Sequence, residues 1–99
     1  MTAHPGTTAQ EIERILRQDF APARLDVIDE SMQHVGHAGA SEGGHFRVVV
    51  VSAAFAGRSL VERHRMVNAA LTGLFAGRIH ALALRTLTPE EAARSERPA

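Results

Sequence analysis

Three of the six histidines, His34, His37 and His45, fall in the single stretch D-E-S-M-Q-H-V-G-H-A-G-A-S-E-G-G-H from Asp29 to His45. The same stretch holds Gly36, Gly39, Gly43 and Gly44, four of the eight glycines. Imidazole is a borderline ligand suited to iron, zinc or copper, so a glycine-rich loop carrying imidazoles between two apolar runs is a place for metal chemistry. The same composition also describes a plain flexible hairpin. His34 and His37 are three residues apart, a spacing that sets no firm geometry in a loop. With no Cys in the chain, two or three histidines fall short of the three protein ligands and one open position of a hydrolytic zinc site.

Two other groupings invite chemistry. Arg63-His64-Arg65 concentrates charge, but on a helix Arg63 and Arg65 point about 160–200° apart and form no single patch. His64 reads as a packed histidine at the edge of an apolar stripe, with Asn68 one turn on as its partner. Gly36-His37-Ala38-Gly39 is a G-x-x-G loop of the kind through which the backbone approaches phosphates in KH domains. It contains no Lys or Arg, so anion binding there rests on the backbone, with Arg63 and Arg65 as the nearest basic candidates for a nucleic-acid interface. Enzyme motifs are lacking. Asp29 and Glu30 are adjacent in an extended run and face opposite ways, poor for paired acid–base work. The serines lack a nucleophile-elbow context, and no phosphate-binding glycine motif is present. The expectation is a protein that is not an enzyme.

The elements that must position these residues follow from periodicity. Residues 1–6 read as a tail ending in Pro5-Gly6. Thr8 and Glu11 have capping-box spacing, Ile12, Ile15 and Leu16 share one helical face, and Pro22 stops the helix near Phe20. Arg24 to Glu30 alternates as a strand with Leu25, Val27 and Asp29 on one face. Phe46 to Val51, F-R-V-V-V-V, is apolar on both faces beyond Arg47, which is how a central strand reads. Ala53 to Arg58 looks like a turn or short helical piece. Ser59 and Glu62 form a second capping box opening a helix whose stripe is Leu60, Val67, Ala70, Leu71 and Leu74, with Gly77 as a left-handed cap. Ile79 to Leu84 is the third strand. Thr88-Pro89-Glu90-Glu91 starts a terminal helix with little apolar face, fraying into residues 95–99.

This order predicts an α+β fold, α-β-β-α-β with a last helix, as one domain over residues 7–94. The first two strands form a hairpin, and a helix joins the second to the third, which favours a parallel pair with a right-handed crossover. The second strand is then central in a three-stranded mixed sheet with helices on one face. Parallel pairing starts strands two and three at the same end, so His45 and His80 meet there. The hairpin loop delivers His34 and His37 to that end too.

Bulk composition narrows the partners. Eleven basic residues, all Arg, balance eleven acidic ones, so no overall field draws the chain to nucleic acid or an anionic membrane. No apolar run approaches membrane-spanning length, and M-T-A-H-P-G is no secretory leader. The expectation is a cytoplasmic protein without a membrane role, with monomer and homodimer both left open.

The chain resembles the BolA family. The carrying stretches are L-D-V-I-D-E-S (Leu25 to Ser31), the His34 to His37 loop, H-F-R-V-V-V-V-S (His45 to Ser52), F-A-G-R-S-L-V-E-R-H-R-M-V-N (Phe55 to Asn68), I-H-A-L-A-L (Ile79 to Leu84) and T-P-E-E (Thr88 to Glu91). The resemblance implies a fold related to class II KH domains. It also implies partnership with monothiol glutaredoxins, which share a 2Fe-2S cluster with BolA proteins in iron–sulfur trafficking or iron regulation. By that resemblance the ligand before the second strand matches His34, with His37 as alternate, and the ligand opening the third strand matches His80. Glutaredoxin Cys and glutathione thiol would complete the sphere, and the isolated chain is expected to hold no cofactor. The KH-like fold also implies an alternative, a nucleic-acid-binding transcriptional regulator that contacts DNA through Gly36, Gly39, Arg63 and Arg65. Two positions depart from the family pattern. Gly44 stands where Thr is frequent, and Ala92 follows T-P-E-E where Trp is common, which weakens docking of the last helix.

Overall fold

The computed structural model describes residues 6–31 and 43–95. Its elements are α1 (Thr8–Phe20), β1 (Arg24–Asp29), β2 (Gly44–Val51), α2 (Leu60–Ala70), β3 (Ile79–Leu87) and α3 (Pro89–Ser95), with 3₁₀ turns at Ala53–Phe55 and Thr72–Phe75. The fold is α+β. The sheet order is β1-β2-β3, with β1 antiparallel and β3 parallel to β2. The helical connection predicted the parallel pair, and the β-branched run of β2 predicted its central place.

Register explains the layering. Val27 pairs with Val48, Leu25 with Val50, Phe46 with Leu82 and Val48 with Leu84. Alternation therefore puts Leu25, Val27, Phe46, Val48 and Val50 on one face. There Leu25, Phe46, Val48 and Val50 join Ile12, Leu16 and Phe20 of α1, Val67 of α2 and Leu71 at its C-cap in one buried cluster, with Val27 packed against it. Phe55 closes the far end, its ring centre 5.3 Å from that of Phe20. Beside it the buried Ser52 hydroxyl donates to the Phe20 carbonyl at 2.7 Å.

Helix boundaries moved in instructive ways. The first capping box is Thr7 with Gln10, one residue earlier than Thr8 with Glu11; the two threonines offer both registers, and the chain adopts the earlier. Ser59 and Glu62 cap α2 as expected. The α2 helix ends at Ala70, and a 3₁₀ turn carries the chain to Phe75 before Gly77, at φ +102°, turns it into β3. β3 runs three residues beyond Leu84, to Leu87.

The main correction concerns α2. Leu60, expected in the apolar stripe, is 63% exposed, whereas Arg63 is buried. Leu60 lies on the same helical face as Arg63, Val67 and Leu71, but it is the first helical residue and is left in solvent. Arg63 follows Val67 and Leu71 into the interior because an acceptor set awaits it. Its Nε donates to the Arg58 carbonyl at 2.9 Å and Nη1 to the Thr86 carbonyl at 3.3 Å. Both terminal nitrogens then bind Glu91, at 2.7 and 3.1 Å. Glu91 also forms a capping box with Thr88, so one carboxylate starts α3 and clamps it to α2. The α3 helix buries no residue of its own, and this polar clamp substitutes for an apolar face.

Candidate metal site at the sheet corner

Strands β2 and β3 start at the same corner of the sheet, where Gly44 pairs with Ile79. The next pair is His45 with Ala81, so β3 takes two steps where β2 takes one, and His80 is the extra residue. Such bulges re-aim a side chain. Here the His45 and His80 rings come to lie with centres 5.1 Å apart, tilted 43°. His80 is exposed and His45 half-buried, so both are accessible from solvent.

The backbone beneath them is tightly held. His45 N–H donates to Ser31 Oγ at 3.0 Å, and the His45 carbonyl accepts from Glu30 N–H at 2.8 Å. Gly44 N–H donates to the Arg78 carbonyl at 3.1 Å. Glycine is required at two points. Gly43, at φ +114°, passes so close to β3 that a Cβ there would sit 3.1 Å from the His80 nitrogen. A Cβ on Gly44 would meet the Phe46 ring at 2.5 Å and Ser31 Oγ at 2.8 Å. Gly44 is thus matched to the present rotamer of Phe46.

The convergence of His45 and His80 expected from parallel pairing is present. His34, His37, Gly36 and Gly39 lie outside the described residues. The residues flanking that segment, Ser31 and Gly43, both touch the histidine corner. Two imidazoles bound to one ion at nitrogen distances of ~2.0–2.1 Å and tetrahedral angles have ring centres about 5 Å apart, a separation comparable to that of the His45 and His80 rings. Among the described residues no group of three or more His, Asp or Glu side chains could hold a metal, and any further donors come from elsewhere.

The Arg-His-Arg cluster resolves differently. Arg63, a candidate for phosphate contact, is committed to Glu91 and buried, and it is withdrawn from that role. Arg65 is exposed. His64 is half-buried, and no hydrogen bond joins it to Asn68 among the described residues. The Arg63 guanidinium, and secondarily the Thr88 backbone, hold the Glu91 carboxyl down at about 2. Sequence reasoning missed this pair because a buried arginine has no periodic signature distinct from an exposed one. Elsewhere, an open groove of about 470 Å³ is lined by Asn68, Thr72, Phe75 and Leu82, with no titratable side chain. Among the described residues no helix is long and apolar enough to cross a membrane.

Comparison with known proteins bears on the family and the fold. A BolA-like protein family model matches residues 16–91. The DNA-binding transcriptional regulator BolA of Escherichia coli is 43% identical over 82 residues, covering 83% of this chain and 76% of the relative. The BolA domain of SufE1 from Arabidopsis thaliana superimposes with a TM-score of 0.77 at 40% identity, over 87% of this chain and 96% of that one. The solution structure of mouse BolA1 gives 0.77 at 39% identity, over 99% of this chain and 78% of that one. With its sheet order, its helices and most of its length accounted for, the chain belongs to the BolA-like family.

Proposed function

We propose that this protein is an adaptor that shares a 2Fe-2S cluster with a monothiol glutaredoxin, in iron–sulfur trafficking or iron regulation. The observation that carries this reading is the exposed His80 at the start of β3, set beside a second imidazole at an open corner. The hairpin segment bearing His34 and His37 springs from the same corner, between Ser31 and Gly43. A cluster with two imidazoles on one iron has a raised reduction potential compared with an all-thiolate cluster. The chain's own part is to present neutral imidazole nitrogens on a rigid strand edge. His80 is one donor, and His34 or His37 the other by family resemblance. Without Cys, the chain supplies half a coordination sphere, and the thiolates come from glutaredoxin and glutathione. The role is ligand donation, not catalysis.

The test is to mix the apo protein with cluster-loaded monothiol glutaredoxin. The visible absorption and circular dichroism change on mixing, and His80→Ala abolishes the change. A spectrum equal to the sum of its components sinks the proposal.

A second reading is supported by the name of the Escherichia coli relative, a DNA-binding transcriptional regulator. On that reading DNA affinity falls with salt at a slope set by the phosphates contacted, and Arg65→Ala weakens it while His80→Ala does not. Arg63 takes no part, being held by Glu91.

A further inference from the structure

We infer that the outer edge of β3 is a self-association surface, to which a second copy of this chain adds its own β3, antiparallel about a two-fold axis at Ala83. Among the described residues β3 is an outer strand, paired only with β2. Two contacts show which way its backbone groups point. The Leu87 carbonyl accepts from Ser52 N–H, just past β2, at 2.9 Å, and the Thr86 carbonyl accepts from Arg63 Nη1, on the other side, at 3.3 Å. The groups of successive residues alternate sides along a strand, and the register with β2 is regular from Ala81 onward. Leu82 and Leu84 therefore turn their N–H and C=O groups outward, as Thr86 does. Neither meets a hydrogen-bond partner on that side among the described residues. The bulge at His80 bounds this open window at one end, and the Arg63 contact bounds it at the other.

The window fits a second copy because it is self-complementary. With Ala83 opposite Ala83, Leu82 faces Leu84 of the second copy, and each such pair exchanges both backbone hydrogen bonds. No like charges meet in this register, since Arg85, the one Arg, Asp or Glu of β3, falls opposite Ala81. Opposed residues share a face of the sheet, so Leu84 of the second copy comes alongside Leu82. Leu82 lines the groove formed with Asn68, Thr72 and the 39% exposed Phe75, and the incoming leucine supplies that groove with an apolar side chain. The other edge is unsuited. β1 carries Arg24, Asp26 and Asp29 in six residues, the kind of charge that keeps sheet edges apart. The formal net charge of the chain is zero, so two copies approach without overall repulsion. The inference does not rest on the proposed function, and its test uses neither glutaredoxin nor a cluster.

The experiment follows the mass of the full chain by sedimentation over a concentration series. The wild type is expected to rise from the mass of one chain towards that of two. Ala83 is exposed, so a substitution there spares the core. Ala83→Glu and Ala83→Lys each set like charges face to face on the axis, and each is expected to weaken association by at least about tenfold. An equimolar mixture of the two variants is expected to restore it. A wild-type chain that stays monomeric into the millimolar range overturns the inference and leaves the edge to an extended peptide of another protein. Association that survives both single variants, or that the mixture fails to restore, overturns it as well. Should a charged variant fail to fold, Ala83→Cys gives the answer in a chain that has no Cys of its own. A directly opposed pair of this kind has Cα atoms about 4.5 Å apart, within the span of a disulfide. Mild oxidation then links Ala83→Cys into a covalent dimer far faster than Ser95→Cys, an exposed control on α3; equal rates overturn the inference.

Discussion

Each end of strand β3 gathers ionisable side chains, and the two ends treat them in opposite ways. At its finish, Arg63, Thr86, Thr88 and Glu91 are mutually hydrogen-bonded, with the guanidinium sealed from solvent. At its start, His45 and His80 face each other across a bulge, with solvent access and a rigid backbone below. A charge that is buried and fully paired works for the fold. Two imidazoles at a solvent-accessible corner, outside the core cluster, are placed instead where another molecule can reach them. The lesson is that Arg63 of R-H-R, the more conspicuous charged motif, belongs to architecture, while two histidines 35 positions apart in the chain meet at an accessible corner.

The comparison breaks if the Arg63 end tolerates truncation. Arg63→Ala removes the clamp on α3, leaves a void beside Val67 and strips the partner from Glu91. It is expected to cost about 3 kcal/mol, read as a fall in the urea midpoint, without altering the spectral change with cluster-loaded glutaredoxin. Next in size is Gly44→Ala. The added Cβ forces Phe46 out of its rotamer, with an expected cost of ~1–3 kcal/mol in chemical denaturation; a neutral result would show that the corner is looser than its contacts imply.

The pH dependence sharpens the same contrast. Glu91 has its carboxyl lowered from 4.5 to about 2. A carboxyl depressed in the folded state contributes stability that is fully present above its unfolded value and lost as pH falls through the folded one. Stability therefore declines between about pH 4.5 and 2, and Glu91→Gln flattens that limb, leaving smaller contributions from Glu11 and Glu62, also lowered. Acid titration followed by circular dichroism checks this. The smallest effect on stability belongs to His80→Ala, expected within about 0.5 kcal/mol as for other surface changes, although on the proposed function the same substitution is expected to remove the cluster response. A large loss of stability there would make His80 structural and undo the distinction.

Much of this was legible in advance. The four consecutive valines of β2 marked the central strand, the helix between β2 and β3 fixed their parallel sense, and that sense brought His45 to His80. Ser59-x-x-Glu62 and Thr88-x-x-Glu91 marked helix starts because capping is local chemistry. Arg63 was not legible, since its inward turn depends on Glu91, 28 positions away, and on the Arg58 and Thr86 carbonyls that the folded chain brings round it. Neither was the bulge at His80, nor the contact that forbids a side chain at Gly44, since both arise only when two strands lie side by side. Periodicity and capping, which act within a few residues, are determined by sequence alone. Which polar side chains are sealed and which are left open to solvent is decided by tertiary structure, because burial of a charge is set by partners that only the completed fold assembles.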